Sequence, residues 1–90
     1  MTGKEIADAV NGIIGSLDKK DFSTEAINWG DLSVCQVDEV RPIYPIEVGK
    51  IGYTQITIEE VSPDAHHFCE FIANEFEKKF GFGVVVKSEW

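Results

Sequence analysis

Residues 62–90 read SPDAHHFCEFIANEFEKKFGFGVVVKSEW, which predicts a helix with both ends marked, followed by an apolar strand. Ser62 is a typical N-cap, and Pro63 suits the first helical position. At the other end, Gly81 can adopt the left-handed conformation that ends helices, and Phe82 can supply the accompanying hydrophobic contact. The apolar residues between them recur at the spacing of one helix face: Ala65, Phe68, Cys69, Ile72, Phe76 and Phe80.

A first helix is predicted near the N-terminus, over residues 2–20. Thr2 and Glu5 have the spacing of a capping box. The apolar residues of the segment 21–31 have no regular period, and the segment ends in Gly30 and Asp31, which are typical of turns. We therefore interpret it as a connector in which Trp29 fills an edge of the core. The apolar residues of the predicted first helix also follow the helical period: Ile6, Val10, Ile13, Ile14 and Leu17.

Three segments have the alternation or apolar content of strands, at residues 32–40, 51–60 and 84–90. Pro42 and Pro45 follow the first of them and predict a bent or edge segment, because proline has no backbone donor. Gly49 and Lys50 fit a two-residue hairpin turn that joins the first two strands.

This order of elements predicts an α+β two-layer sandwich, α-β-β-α-β, with a three-stranded sheet and two helices on one face. The position of the first strand, central or at an edge, stays open. The alternation predicts that one set of side chains points toward the helices: Cys35, Val37, Ile56, Ile58, Val84 and Val86. The opposite set is expected to point outward: Val34, Gln36, Tyr53, Gln55, Thr57, Val85, Lys87 and Glu89.

Length and composition favour a single folded domain, residues 1–90, since 43% of the residues are hydrophobic and 27% are charged. No apolar run approaches the roughly 20 residues of a membrane span, and the N-terminal residues do not resemble a secretory signal. With only two cysteines, we expect a protein of a reducing compartment, the cytoplasm.

The charge balance disfavours nucleic acids and anionic membranes as partners. Sixteen acidic residues against eight basic ones give a formal net charge of −8, which repels phosphates. The simplest interpretation is a surface that favours solubility. A narrower hypothesis is an inhibitor of phage or host type whose carboxylates mimic a nucleic acid, and it requires those carboxylates to cluster on one face.

The chain offers few groups for chemistry. The stretch around His66, His67 and Cys69, with Cys35 approaching from the sheet, is the one candidate for a metal-binding or thiol-dependent site. It lacks the CxxC or HExxH spacing of zinc sites. A disulfide between the two cysteines is also conceivable. We nevertheless expect no catalytic residues, no cofactor and no metal.

The leading functional hypothesis is a small acidic protein-interaction module without catalytic activity. Apolar residues around the predicted hairpin exceed what a solvated loop needs, so they either pack on the first helix or form a contact surface. The hypothesis takes the second interpretation, with self-association or another protein as partner. The predicted partner-binding residues are Pro42, Ile43, Tyr44, Pro45, Ile46, Val48 and Tyr53.

Overall fold

The computed structural model describes residues 1–40 and 53–90. Its elements are α1 (Gly3–Ser16), a short 3₁₀ helix (Lys19–Phe22), β1 (Ser33–Val40), β2 (Tyr53–Glu59), α2 (His66–Phe80) and β3 (Val84–Glu89). The predicted α+β fold is confirmed, because both helices and the inner face of the sheet contribute to one hydrophobic core. The hairpin turn predicted at Gly49 and Lys50 lies outside the described residues.

The strand order is β1-β2-β3, so the first strand lies at an edge. β1 and β2 are antiparallel, whereas β2 and β3 are parallel. Parallel neighbours need a long crossover connection, and α2 supplies it because it stands between β2 and β3 in the chain. The sheet is therefore mixed, with β2 at its centre.

α1 begins with the predicted capping box. The Glu5 backbone N–H donates to Thr2 Oγ1 at 3.2 Å, and the Thr2 N–H donates to Glu5 Oε1 at 3.1 Å. The helix ends at Ser16 rather than at Lys20, and its buried face carries Ile6, Val10 and Ile13. Reciprocal side-chain bonds satisfy amides at the start of the helix that have no partner within it.

The 3₁₀ helix places Phe22 in the core, which the sequence analysis did not predict. Phe22 is 1% exposed. Its ring makes edge-to-face contacts with Phe68 and Phe71, at centroid distances of 5.5 and 5.3 Å. Trp29 lies at the core edge, as predicted, and contacts Phe68 at 5.8 Å. The connector thus closes one end of the core.

α2 begins at His66 rather than at Pro63, and Ser62 is not its N-cap. The Ser62 side chain instead accepts a hydrogen bond from the Asp64 N–H within a local turn. The carboxylate of Glu25 takes over the capping role, since its two oxygens accept from the N–H groups of His67 and Phe68, each at 2.9 Å. The cap thus comes from the connector.

The other end of α2 is as predicted. Gly81 has a φ of 80°, in the left-handed region, and its N–H donates to the Glu77 carbonyl at 2.8 Å. Phe82 then folds back against Phe76, with ring centroids 5.2 Å apart. The chain is thereby turned directly into β3.

The predicted orientation of two side chains is wrong, because β1 contains a β-bulge. Val34 pairs with Ile58, but Gln36 pairs with Thr57, so Cys35 is the extra residue. Cys35 is exposed and does not point toward the helices, whereas Val34, predicted to point outward, packs against the core. An inserted residue reverses the alternation on one side of it. The other predicted inward residues all contact the core: Val37, Ile56, Ile58, Val84 and Val86.

Candidate functional site

Only one of the predicted partner-binding residues falls within the described chain. Tyr53 opens β2 and is 44% exposed. The other six lie outside the described residues: Pro42, Ile43, Tyr44, Pro45, Ile46 and Val48. The side of the sheet on which Tyr53 lies is therefore the candidate binding surface.

That side, called the outer face, is opposite to both helices. Strand register places its residues side by side, with Gln55 next to Val85 and Thr57 next to Lys87. No described element packs over it, and Val85 is 41% exposed. The outer face comprises Cys35, Gln36, Asp38, Tyr53, Gln55, Thr57, Glu59, Val85, Lys87 and Glu89.

A thiol and two carboxylates meet at one end of the outer face. Glu59 and Glu89 are register partners on the parallel strands β2 and β3, and the bulge in β1 brings Cys35 beside them. The Cys35 thiol donates to the Thr57 carbonyl at 3.4 Å and to Glu89 Oε1 at 3.6 Å. One ligand atom from each of the three side chains lies within 4.8 Å of the other two.

The surroundings of Cys35 make its thiol a poor nucleophile. Desolvation raises the pKa of the Cys35 thiol, and the neighbouring Glu59 and Glu89 carboxylates raise it further, to about 11. Only the thiolate attacks electrophiles. The side chain is accessible but almost entirely protonated near neutral pH, which disfavours nucleophilic catalysis by Cys35.

Cys35 should therefore react slowly with iodoacetamide despite its exposure. In a Cys69→Ser background at pH 8, a pKa near 11 instead of 9 leaves about 100-fold less thiolate. The higher nucleophilicity of the more basic thiolate offsets part of this loss, so we expect a rate roughly tenfold below that of a model cysteine peptide. Mass spectrometry of the alkylated protein measures that rate.

The matched variant is Glu89→Gln, which removes one negative charge and should lower the pKa of Cys35. Its alkylation should be several-fold faster. If Cys35 reacted at the model-peptide rate, or were unaffected by Glu89→Gln, the described environment of the thiol would be wrong.

The four residues of the alternative metal-binding or thiol-dependent site, Cys35, His66, His67 and Cys69, do not form one cluster. The His67 ring contacts the Phe22 ring in a tilted arrangement, with ring centroids 5.0 Å apart. His66 and Cys69 line an open cleft of about 280 Å³ beside β3, and burial raises the pKa of the Cys69 thiol. Cys35 lies on the outer face, across the sheet from this cleft. Both cysteines are free thiols.

The sequence analysis had placed Glu89 outward but had not joined it to Glu59 or to Cys35. Alternation alone predicts that Cys35 faces the core, and a bulge leaves no obvious mark in the residues around it. The strand order, which makes Glu59 and Glu89 neighbours, was also open. The available signal was the shared outward orientation of two acidic residues at the ends of their strands.

Comparison with known proteins adds no functional information. No protein-family model, no curated protein and no solved structure matches the chain. Within residues 1–40 and 53–90, neither helix has the length and apolar character required to span a bilayer.

Proposed function

We propose that this protein is a small, non-catalytic interaction module that binds another protein through the outer face of its sheet. The observation that carries the proposal is that both helices pack on one side of the sheet, while the other side exposes Tyr53 and Val85. Exposed aromatic and β-branched side chains on an uncovered sheet are suited to a protein contact. Tyr53 is also one of the partner-binding residues predicted from sequence.

The charge of the outer face favours a basic partner over a second copy of the chain. Among the described residues of this face, three acids, Asp38, Glu59 and Glu89, occur with one cation, Lys87. Two such faces would repel each other, whereas a basic protein surface would be attracted and oriented. Nucleic acids and anionic membranes would be repelled for the same reason.

The distribution of acids favours an ordinary protein contact over nucleic-acid mimicry. Mimicry requires carboxylates concentrated on one surface, in place of phosphates. Here exposed or partly exposed acids occur on every part of the described chain, for example Glu5 and Asp8 on α1, Asp21 in the 3₁₀ helix, Asp38 and Glu59 on the sheet, and Glu70, Glu75 and Glu77 on α2.

A non-catalytic role is supported by the placement of the reactive side chains. Cys35 is separated by the sheet from His66 and Cys69, so no thiol-imidazole pair forms between the two sides. The raised pKa of both thiols also disfavours attack by either one. Two free thiols suit a reducing compartment, and we propose a cytoplasmic location.

The proposal predicts that the double variant Tyr53→Lys and Val85→Lys loses its protein partner. Lysine at these exposed positions removes apolar contact area and repels a basic partner, and at position 85, on the edge strand β3, lysine is well tolerated. After affinity capture from the native host, quantitative mass spectrometry should show the partner reduced at least tenfold relative to the unaltered chain.

The control is Asn11→Lys and Asn74→Lys, which makes the same change in net charge on exposed positions of the two helices. This variant should retain the partner. Light scattering of the purified unaltered chain should give a monomer. Retention of every partner by the outer-face variant, or equal loss from both variants, would refute binding through the outer face.

A further inference from the structure

We propose that Cys35, Glu59 and Glu89 form a three-ligand binding site for a divalent cation of the zinc class. Each residue comes from a different strand, and all three lie on the outer face at the same end of the sheet. The inference does not rest on the proposed partner, but it involves the same face, because a bound cation would reduce the negative charge that Glu59 and Glu89 give to it.

The separations of the donor atoms are close to those of a zinc site. Bonds of about 2.3 Å to sulfur and about 2.1 Å to oxygen, arranged tetrahedrally, place the sulfur and oxygen ligands roughly 3.5 Å apart. Cys35 Sγ and Glu89 Oε1 are already 3.6 Å apart. The full triad lies within 4.8 Å, so rotation of the Glu59 side chain would bring in the third ligand.

The charges at the site favour a bound cation. Glu59 and Glu89 are direct register partners, and like charges in directly paired positions are destabilising. Among residues 1–40 and 53–90, no lysine or arginine forms an ion pair with either carboxylate. A divalent cation between the two carboxylates would convert this repulsion into attraction.

The β-bulge supplies the thiol, and this distinguishes the site from a simple pair of surface acids. In a regular β1 strand, Cys35 would point toward the helices. The extra residue between the pairs Val34–Ile58 and Gln36–Thr57 turns the sulfur outward instead. Bulges redirect side chains in this way and are frequent beside functional sites.

The donor set selects the class of metal. Thiolate sulfur favours zinc and softer cations, whereas magnesium and calcium prefer all-oxygen sites. Binding breaks the Cys35 S–H bond and forms a sulfur–metal bond, so the thiol proton passes to the buffer and no electron is transferred. Three protein ligands leave a fourth position for water.

The test is titration of the purified, metal-free full chain with Zn²⁺ by calorimetry, in two buffers with different enthalpies of ionisation. We expect one Zn²⁺ per chain and about one proton released per Zn²⁺. Titration with Co²⁺ should produce the near-ultraviolet absorption that is typical of a thiolate–cobalt bond.

Single variants assign the ligands. Cys35→Ser should abolish the thiolate–cobalt absorption and weaken Zn²⁺ binding at least about 100-fold, while Glu59→Gln and Glu89→Gln should each weaken it at least about tenfold. The controls Cys69→Ser and Glu70→Gln, which alter the other thiol and an exposed carboxylate on α2, should bind as the unaltered chain does. Circular dichroism verifies that each variant folds.

Two results would overturn the proposal. One is the absence of saturable one-to-one binding to the unaltered chain. The other is Zn²⁺ binding that survives Cys35→Ser and Glu89→Gln or depends on Cys69, since the cation would then bind elsewhere.

Discussion

Replacing Phe22 by alanine should lower the free energy of unfolding by about 4 kcal/mol, which is the middle of the range for buried phenylalanines. The side chain is 1% exposed and contacts Phe68, Phe71 and His67. Its removal would leave a cavity where the 3₁₀ helix closes the core. Because small domains have only about 5 to 15 kcal/mol of stability, much of the total would be lost. Urea unfolding followed by circular dichroism measures the change.

Phe82→Ala is the matched control, since Phe82 is 37% exposed and its ring contacts that of Phe76 from the end of the helix. It should cost clearly less, about 1 kcal/mol, because less apolar area is buried. Equal effects of the two substitutions, or a loss below about 1 kcal/mol for Phe22→Ala, would contradict the placement of Phe22 in the core.

Replacing Glu25 by alanine should lower the free energy of unfolding by about 2 kcal/mol. The carboxylate accepts from two N–H groups at the start of α2 and lies near the positive end of the helix dipole. Without it, both amides lose a charge-assisted partner and the first turn should fray. Glu25→Gln keeps an acceptor oxygen but loses the charge, so its effect should be intermediate.

Glu70→Ala provides the control, because Glu70 is an exposed residue of α2 and alanine favours helices. Its effect should stay within about 0.5 kcal/mol. Hydrogen exchange adds a local measurement: the His67 and Phe68 amides should exchange faster in Glu25→Ala, while those near Gly81 should not. Unchanged protection of His67 and Phe68 would exclude Glu25 as the cap.

The fold class and most strand orientations could be predicted because their signals are local. The capping box of α1, the left-handed Gly81 and the alternation of Ile56 and Ile58 each depend on neighbours a few residues away. The start of α2 could not be predicted in this way. Ser62 satisfies the sequence pattern of an N-cap, but Glu25, distant in sequence, reaches the helix amides in the folded chain. The burial of Phe22 could not be predicted for a related reason, since a single aromatic residue in an aperiodic connector belongs to no periodic pattern.

The candidate site was predictable only in part. The outward orientation of Tyr53, Val85 and Glu89 follows from alternation. The position of Cys35 beside Glu89 requires both the bulge and the strand order, which depend on how whole strands pair. His66 and His67, which were candidate ligands in the sequence, lie in the first turn of a packed helix. The candidate surface is instead the outer face.

Photo-crosslinking in the native host tests most directly whether the outer face is the binding surface. A photoreactive phenylalanine analogue replaces either Val85 on the outer face or Asn74 on the exposed side of α2. We expect a discrete adduct with another protein from position 85 and none from position 74. An adduct that forms from position 74 and not from position 85 would contradict the proposal, because the partner would then contact the helical layer.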